Sequence, residues 1–270
     1  MEKKERDNHR IDRLFARRQG NILSLYFTAG YPRRDSTEEV LRALIRHGAD
    51  MIEVGVPFSD PVADGPVIQE SSRRALDQGI TLRIILEQVG RVGPASPVPL
   101  LLMSYLNPVL RYGMEDLCRD AAAAGIDGMI IPDLPAEEYL EHYRPLFRQH
   151  GLKNIFLVTP QTPPDRIRYL DKEGEGFLYV VSSRATTGAR DSFSAEQTAY
   201  FRRLKEMGLQ HPLLAGFGIS NATTFAQACR WLAGAIVGSA YVKALAAAGN
   251  IDEITRRFLR SLRPDKMNGT

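Results

Sequence analysis

Cysteine is scarce in this chain: Cys118 and Cys229 are the only two in 270 residues, and both fall in helix-like stretches. Without a CxxC pair, neither a zinc site nor a disulfide framework is indicated. The five histidines are scattered, and none lies among the acids of the stretch 52–69. No apolar run approaches the ~20 residues that a membrane-spanning helix needs. The N-terminal MEKKERDNHR is charged and has no apolar signal-peptide core. A soluble, cytoplasmic protein is the expectation. Charge of one sign is lacking too, with 35 basic residues against 32 acidic ones, well mixed along the chain. No basic block or aromatic–basic stripe appears, which argues against nucleic-acid binding. The chain has no Gly/Ser linker or break in composition, so one domain is expected over 1–270. The first strand-like run leads into FTAGYP rather than GxGxxG, so a dinucleotide loop is missing from its usual place.

What is present is an alternation. Strand-like runs occur at 22–27, 50–56, 98–103, 128–132, 154–158, 177–182, 212–217 and 234–238. Most are apolar on both faces, as parallel strands covered on both sides are. Amphipathic stretches separate them. The one at 36–48 opens with Ser36 and Glu39 in capping-box spacing, and Gly48 stands at its end. The stretch 114–125 ends on Gly125, and 136–151 contains Pro145, which should kink or split a helix. Further helices are expected at 65–77, 81–92, 164–172, 195–207, 221–232, 240–248 and 252–262. Strand–helix alternation implies a parallel sheet with right-handed crossovers. Eight such units in this length favour closure into a single (β/α)8 TIM barrel over an open doubly wound sheet. Ile11, Leu14 and Phe15 suggest a short extra N-terminal helix that plugs the barrel bottom.

Acids stand out against this background. The stretch IEVGVPFSDPVADGPVIQ (52–69) places Glu53 inside an apolar strand and follows it with Asp60 and Asp64 in a proline-stiffened loop. Barrel active sites lie at the C-terminal strand ends. A glutamate turned inward there is desolvated, its pKa rises, and it suits proton transfer near neutrality. The structural alternatives are a solvated or salt-bridged Glu53, a turn organised by Asp60, and an Asp64 N-cap.

Glycines mark the far side. AGFGIS (215–220) follows the seventh strand and VGSAYVK (237–243) the eighth. Unpaired amides at such helix starts bind anions, and these two loops are the usual phosphate position of a barrel. The alternative is that Gly216 and Gly218 only ease a tight turn, with Lys243 solvated. The sixth loop, SSRATTGARDSF (182–193), is long and polar and suits a lid. In it, Gly188 offers a third amide, and Arg184 and Arg190 either steer an anion or are simply solvated. Tyr26, Tyr105, Tyr179 and Phe217 near strand ends suggest a flat apolar moiety, or else core filling. Together these residues point to an enzyme acting on a phosphorylated small molecule by carboxylate acid–base chemistry.

The same motifs resemble those of the tryptophan synthase alpha chain family. EVGVPFSDPVADG (53–65) is similar to its identifying motif. The likeness extends through YFTAGYP (26–32), LLMSYLNP (101–108), IIPDLPAEE (130–138), GFGIS (216–220) and GSAYVK (238–243). The resemblance implies a (β/α)8 barrel that cleaves indole-3-glycerol phosphate to indole and glyceraldehyde 3-phosphate. It implies no metal and no cofactor in this chain, and a pyridoxal-phosphate beta chain as partner in an α2β2 heterotetramer. By motif position, Glu53 matches the general acid–base, Asp64 the carboxylate that meets the indole N–H, and Tyr179 a tyrosine beside the reacting carbons. Tyr26, Leu102, Ile130, Leu157 and Phe217 match the indole pocket. Thr187, Gly188, Gly218, Gly238 and Ser239 match the lid and phosphate positions. Asp60 is left over, for loop order or partner contact. Ala185 departs from the family, which commonly has glycine there. At φ > 0 that alanine costs of order 1 kcal/mol or shifts the lid. Two rival readings are a sugar-phosphate isomerase, against which the Glu53/Asp64 pair stands, and a non-catalytic barrel that only activates its partner.

Overall fold

The computed structural model describes residues 9–61, 64–182 and 192–263. Nine parallel strands form one sheet in the order β5-β4-β3-β2-β1-β9-β8-β7-β6. They are β1 (Ile22–Thr28), β2 (Met51–Gly55), β3 (Leu100–Met103), β4 (Gly128–Ile130), β5 (Lys153–Asn154), β6 (Leu157–Val158), β7 (Leu178–Val181), β8 (Leu213–Gly216) and β9 (Gly234–Val237). The count exceeds the expected eight because the fifth barrel strand is in two pieces. Lys153–Asn154 pairs with β4 and Leu157–Val158 pairs with β7. The residues between them close the ring. The Ile155 amide donates to the Met129 carbonyl at 2.9 Å, and the Tyr179 amide donates to the Phe156 carbonyl at 2.9 Å. The sheet is thus a (β/α)8 barrel.

Register sorts the side chains into two layers. Partners across parallel strands share a face, so Ser24, Met51, Tyr26, Glu53, Leu101 and Met103 point into the barrel. Leu25, Ile52, Val54 and Leu102 point out toward the helices. The interior core is small and includes Ile22, Met51, Leu101, Ile130, Tyr179 and Ile236, whereas the larger core lies between strands and helices.

The expected N-terminal helix is present as Arg10–Arg17. Ile11 is fully buried in the interior core, and Phe15 packs on Phe177 with ring centroids 5.9 Å apart. Arg10 fixes the helix by donating to Asp127 Oδ1 (2.8 Å) and to the carbonyls of Gly93, Ser96 and Gly125. Asp127 in turn accepts from the Leu100 amide at the start of β3. The plug is therefore tied to the base of two strands. Ile11→Ala should lower the free energy of unfolding by about 2–4 kcal/mol, as buried Ile truncations do; a urea titration of the two proteins measures it.

Two local expectations need correction. Ser36 and Glu39 form no capping box before the helix Thr37–Arg46. Ser36 already has helical torsions, so its hydroxyl turns back to donate to the Arg33 carbonyl at 2.6 Å, while Glu39 pairs with Arg33. Capping boxes occur instead at Ser194/Gln197 and Asn221/Thr224. The helix Leu106–Tyr112, directly after β3, was not foreseen, because its Asn107–Pro108 pair reads as a turn. Pro145 does act as expected. The stretch 136–151 passes through a π-helical turn, Tyr139–Tyr143, just before it.

Candidate active site

Glu53 sits at the centre of β2 and is completely buried. Its Oε1 accepts a hydrogen bond from the Ser24 hydroxyl at 2.8 Å, and its Oε2 has no protein partner. Burial raises its pKa to about 8, against a smaller lowering by the Ser24 bond. A carboxyl in that range changes protonation near neutral pH.

Asp64 approaches from the loop after β2. The N-cap of the following helix, Pro66–Asp77, is Gly65, without any side-chain cap. Released from capping, the Asp64 carboxylate accepts from the Tyr105 hydroxyl at 3.3 Å, and Tyr105 stacks at 5.1 Å on Phe58. Burial raises the Asp64 pKa and the Tyr105 bond opposes the rise. Asp60, four residues earlier, is exposed.

Tyr26 and Tyr179 connect the two acids. Both phenols have raised pKa values, first through burial and then through the negative charges of Glu53 and Asp64. Tyr26 is the register partner of Glu53, and the Tyr26 and Tyr179 rings line one cavity together with Asp64. Each ring crosses its neighbouring strand over a glycine: a Cβ on Gly55 would lie 2.2 Å from the Tyr26 hydroxyl, and one on Gly216 2.3 Å from that of Tyr179. Gly55→Ala must therefore expel the Tyr26 ring from its seat beside Glu53. Overpacking of this kind costs about 1–3 kcal/mol. The variant is expected to melt at lower temperature and to lose at least tenfold in kcat/KM, which calorimetry and steady-state kinetics would read.

Above the tyrosines opens a cavity of about 660 Å³, within the ~300–1,000 Å³ usual for small-molecule sites. Tyr26, Asp64, Met103, Tyr179, Phe217 and Ile236 line its apolar end. Glu53 does not reach its wall and lies below. Gly218, Gly238 and Ser239 line the cavity as well. Phe217 and Gly218 both take left-handed torsions, φ +70° and +75°. In Phe217 this is a strained state for a bulky residue, and the buried Ser182 hydroxyl holds it by donating to the Phe217 carbonyl at 2.6 Å. The turn brings the Phe217 ring within 6.4 Å of Tyr179 and leaves Gly218 on the wall. Gly238 is the N-cap of the helix Ser239–Leu245, and its carbonyl accepts from the Tyr241 and Val242 amides, while the earliest amides of a helix start are left for an outside acceptor. Lys243 stands on the rim, exposed.

Most of the expected residues thus meet around one cavity. Ile130, in the interior core on β4, and Leu157, which packs against that core, do not line the cavity. Nor does Leu102. It pairs in register with Val54 and faces the helices, and the neighbouring Met103 lines the cavity instead. The run LLLM is apolar throughout, so it carries no period-two signal to show which residues face inward. Thr187 and Gly188, like Arg184, Ala185 and Arg190, lie outside the described residues. Ser24 and Ser182 were missed. A lone serine in each apolar run, ILSLYF and FLYVVS, was the available signal. Among the described residues no group of His, Cys, Asp and Glu could hold a metal ion.

A profile of the family described as "Tryptophan synthase alpha chain" matches residues 13–267. The chain belongs to the tryptophan synthase alpha chain family. Curated alpha chains agree. That of Flavobacterium psychrophilum is 49% identical over 228 residues, covering 84% of this chain and 90% of its own. That of Parabacteroides distasonis is 46% identical over 255 residues, covering 94% and 99%. Among solved structures, the tryptophan synthase alpha chain of Legionella pneumophila superposes with a TM-score of 0.83 at 33% identity, over 98% of this chain and 99% of that one. An alpha chain of this family is a carbon–carbon lyase of tryptophan biosynthesis.

Proposed function

We infer that this chain catalyses the alpha reaction of tryptophan synthase, the retro-aldol cleavage of indole-3-glycerol phosphate to indole and glyceraldehyde 3-phosphate. The observation that carries the reading is a single cavity lined by Asp64, by Tyr26 and Tyr179, and by the glycine turns at Gly218 and Gly238, with the buried Glu53 in register beside Tyr26. The indole ring fits between Tyr26, Met103, Tyr179, Phe217 and Ile236. The phosphate fits the amides of Gly218, Gly238 and Ser239 at the helix start.

Breaking the bond between indole C3 and the glycerol carbon needs two proton movements. C3 must gain a proton so that the ring becomes an electron sink, and the adjacent hydroxyl must lose one as the aldehyde forms. Glu53, titrating near neutrality, serves both. Asp64, ionised, accepts a hydrogen bond from the ring N–H and stabilises the positive charge that C3 protonation creates. The Tyr179 ring bears on the reacting carbons. None of these steps needs a cofactor in this chain.

The family name implies a beta chain as partner. We propose an α2β2 complex in which that chain, carrying pyridoxal phosphate, receives the indole, and that this happens in the cytoplasm. Among the described residues no helix is long and apolar enough to cross a membrane. The docking face is the barrel mouth near the 57–61 loop and the helix Leu106–Tyr112, where Leu110 leaves 52% of its surface exposed. The test is indole release from indole-3-glycerol phosphate, with and without beta chain. Absence of indole in both assays refutes the activity, and release that occurs without cleavage of a sugar phosphate lacking the indole ring excludes the isomerase-like alternative.

A further inference from the structure

A buried serine bonded to Glu53 has no task in that chemistry. Ser24 is completely buried in the middle of β1, inside a barrel whose neighbouring interior residues are Ile22, Met51 and Ile236. Its register partners are Met51 on β2 and Ile236 on β9. An apolar side chain would fill that layer without desolvating a hydroxyl, and an unbonded hydroxyl there is costly. The hydroxyl has one partner, Glu53 Oε1, at 2.8 Å. Glu53 pairs with Tyr26, one inward layer nearer the mouth. Across that step the Glu53 carboxyl is still within hydrogen-bond reach of the Ser24 hydroxyl.

We propose that Ser24 is a positioning residue for Glu53: its hydroxyl donates to one carboxyl oxygen, orients the group, and leaves the other oxygen as the proton carrier. The proposal rests on the assignment of Glu53 as acid–base. The geometry supports the division of labour. Oε2 is buried without a hydrogen-bond partner, so it is the oxygen left free to carry the proton. A donor on Oε1 also favours the charged form, and among the described residues it is what lowers the Glu53 pKa against burial. Among the described residues, the titratable groups facing Glu53 are Tyr26 from β1 and Tyr179 from β7, and neither brings a positive charge. Leu101 and Met103, facing it from β3, do not titrate. The Ser24 bond thus offsets part of the burial that disfavours the charged carboxyl.

The experiment compares wild type, Ser24→Ala, Ser24→Cys and Ser24→Thr in the pH dependence of kcat/KM for indole release, with Glu53→Gln as the reference. In Ser24→Ala the ionisation that governs the profile should rise by about one pH unit, a tenfold change in proton affinity. Its kcat should fall by about ten- to a hundredfold while KM stays within threefold, since Ser24 does not reach the cavity. Ser24→Thr keeps the donor and should keep the profile. Ser24→Cys preserves volume with a weak donor and should behave like Ser24→Ala, which secures the test if the alanine variant does not fold. A profile that superposes on wild type in whichever small replacement folds, or a Ser24→Thr enzyme as impaired and as shifted as Ser24→Ala, overturns the proposal. An inactive Glu53→Gln with an unmoved Ser24→Ala profile rejects only the role of Ser24, whereas an active Glu53→Gln rejects the assignment on which it rests.

Discussion

Replacing Glu53 by glutamine is expected to abolish indole release while ligand binding survives. Glutamine keeps the shape and can still accept from Ser24 through its amide oxygen, so the cavity and the Tyr26 seat stay as they are. What it loses is the proton carried on Oε2. Each positioned proton transfer typically contributes ~10²–10⁴-fold, and in this mechanism the same carboxyl makes two. A fall in kcat of at least about 10³-fold is therefore expected, with an equilibrium dissociation constant for a non-cleavable indole–propyl phosphate within a few-fold of wild type. Single-turnover indole release and calorimetric titration make the comparison. Near-normal turnover would remove Glu53 from the chemistry.

The same substitution should stabilise the protein, and the sign follows from burial. The carboxyl has its pKa raised from 4.5 to about 8 in the folded chain. Between those values the unfolded chain has already ionised Glu53 while the folded chain still holds the proton. The folded state then binds more protons, and stability falls as pH rises through that window. Above pH 8 the loss is complete, and below about 4.5 it vanishes. Glu53→Gln has nothing to ionise, so it should exceed wild type in unfolding free energy at pH 8 and match it at pH 4. The coincidence of lower activity and higher stability is the mark of a carboxyl kept in an unfavourable place for function.

The barrel was legible because its evidence is periodic and redundant. Eight apolar runs and the helical stretches between them each repeat the same statement, so an error at one boundary does not alter the architecture. The split of 153–158 into two short strands had no such repetition to reveal it. Glu53 and Asp64 were legible for a different reason: a charge inside an apolar strand and an acid in a proline-rich loop conflict with local expectation, and such conflicts gather at functional sites. Leu102 and Met103 show where this ends. Which of two adjacent apolar residues faces the interior depends on the pairing of β3 with β2, a non-local property that a uniformly apolar run does not encode. Ser36 shows a second limit. Its spacing to Glu39 is right for a capping box, but the chain entering from Arg33 bends early and claims the hydroxyl first.

For Asp64→Asn the expected loss is several orders of magnitude in kcat, and the reason separates it from Glu53. Asparagine can still accept a hydrogen bond from the indole N–H, and from the Tyr105 hydroxyl, so ground-state binding changes little. It carries no charge. The cation formed when C3 takes its proton exists only near the transition state, and an interaction made only there appears in kcat rather than in KM. In a water-poor cavity a carboxylate facing a developing cation is worth far more than in solvent, so the loss should exceed that of a neutral hydrogen bond. Burial already raises the Asp64 pKa, and rate should therefore fall on acidification as the carboxylate takes up a proton at a pH above that of an ordinary aspartate. The variant should lack this acid limb. Steady-state kinetics of both enzymes across pH 4 to 8 would show it. A loss below tenfold would reduce Asp64 to a residue of the turn, and a retained acid limb would assign that ionisation elsewhere.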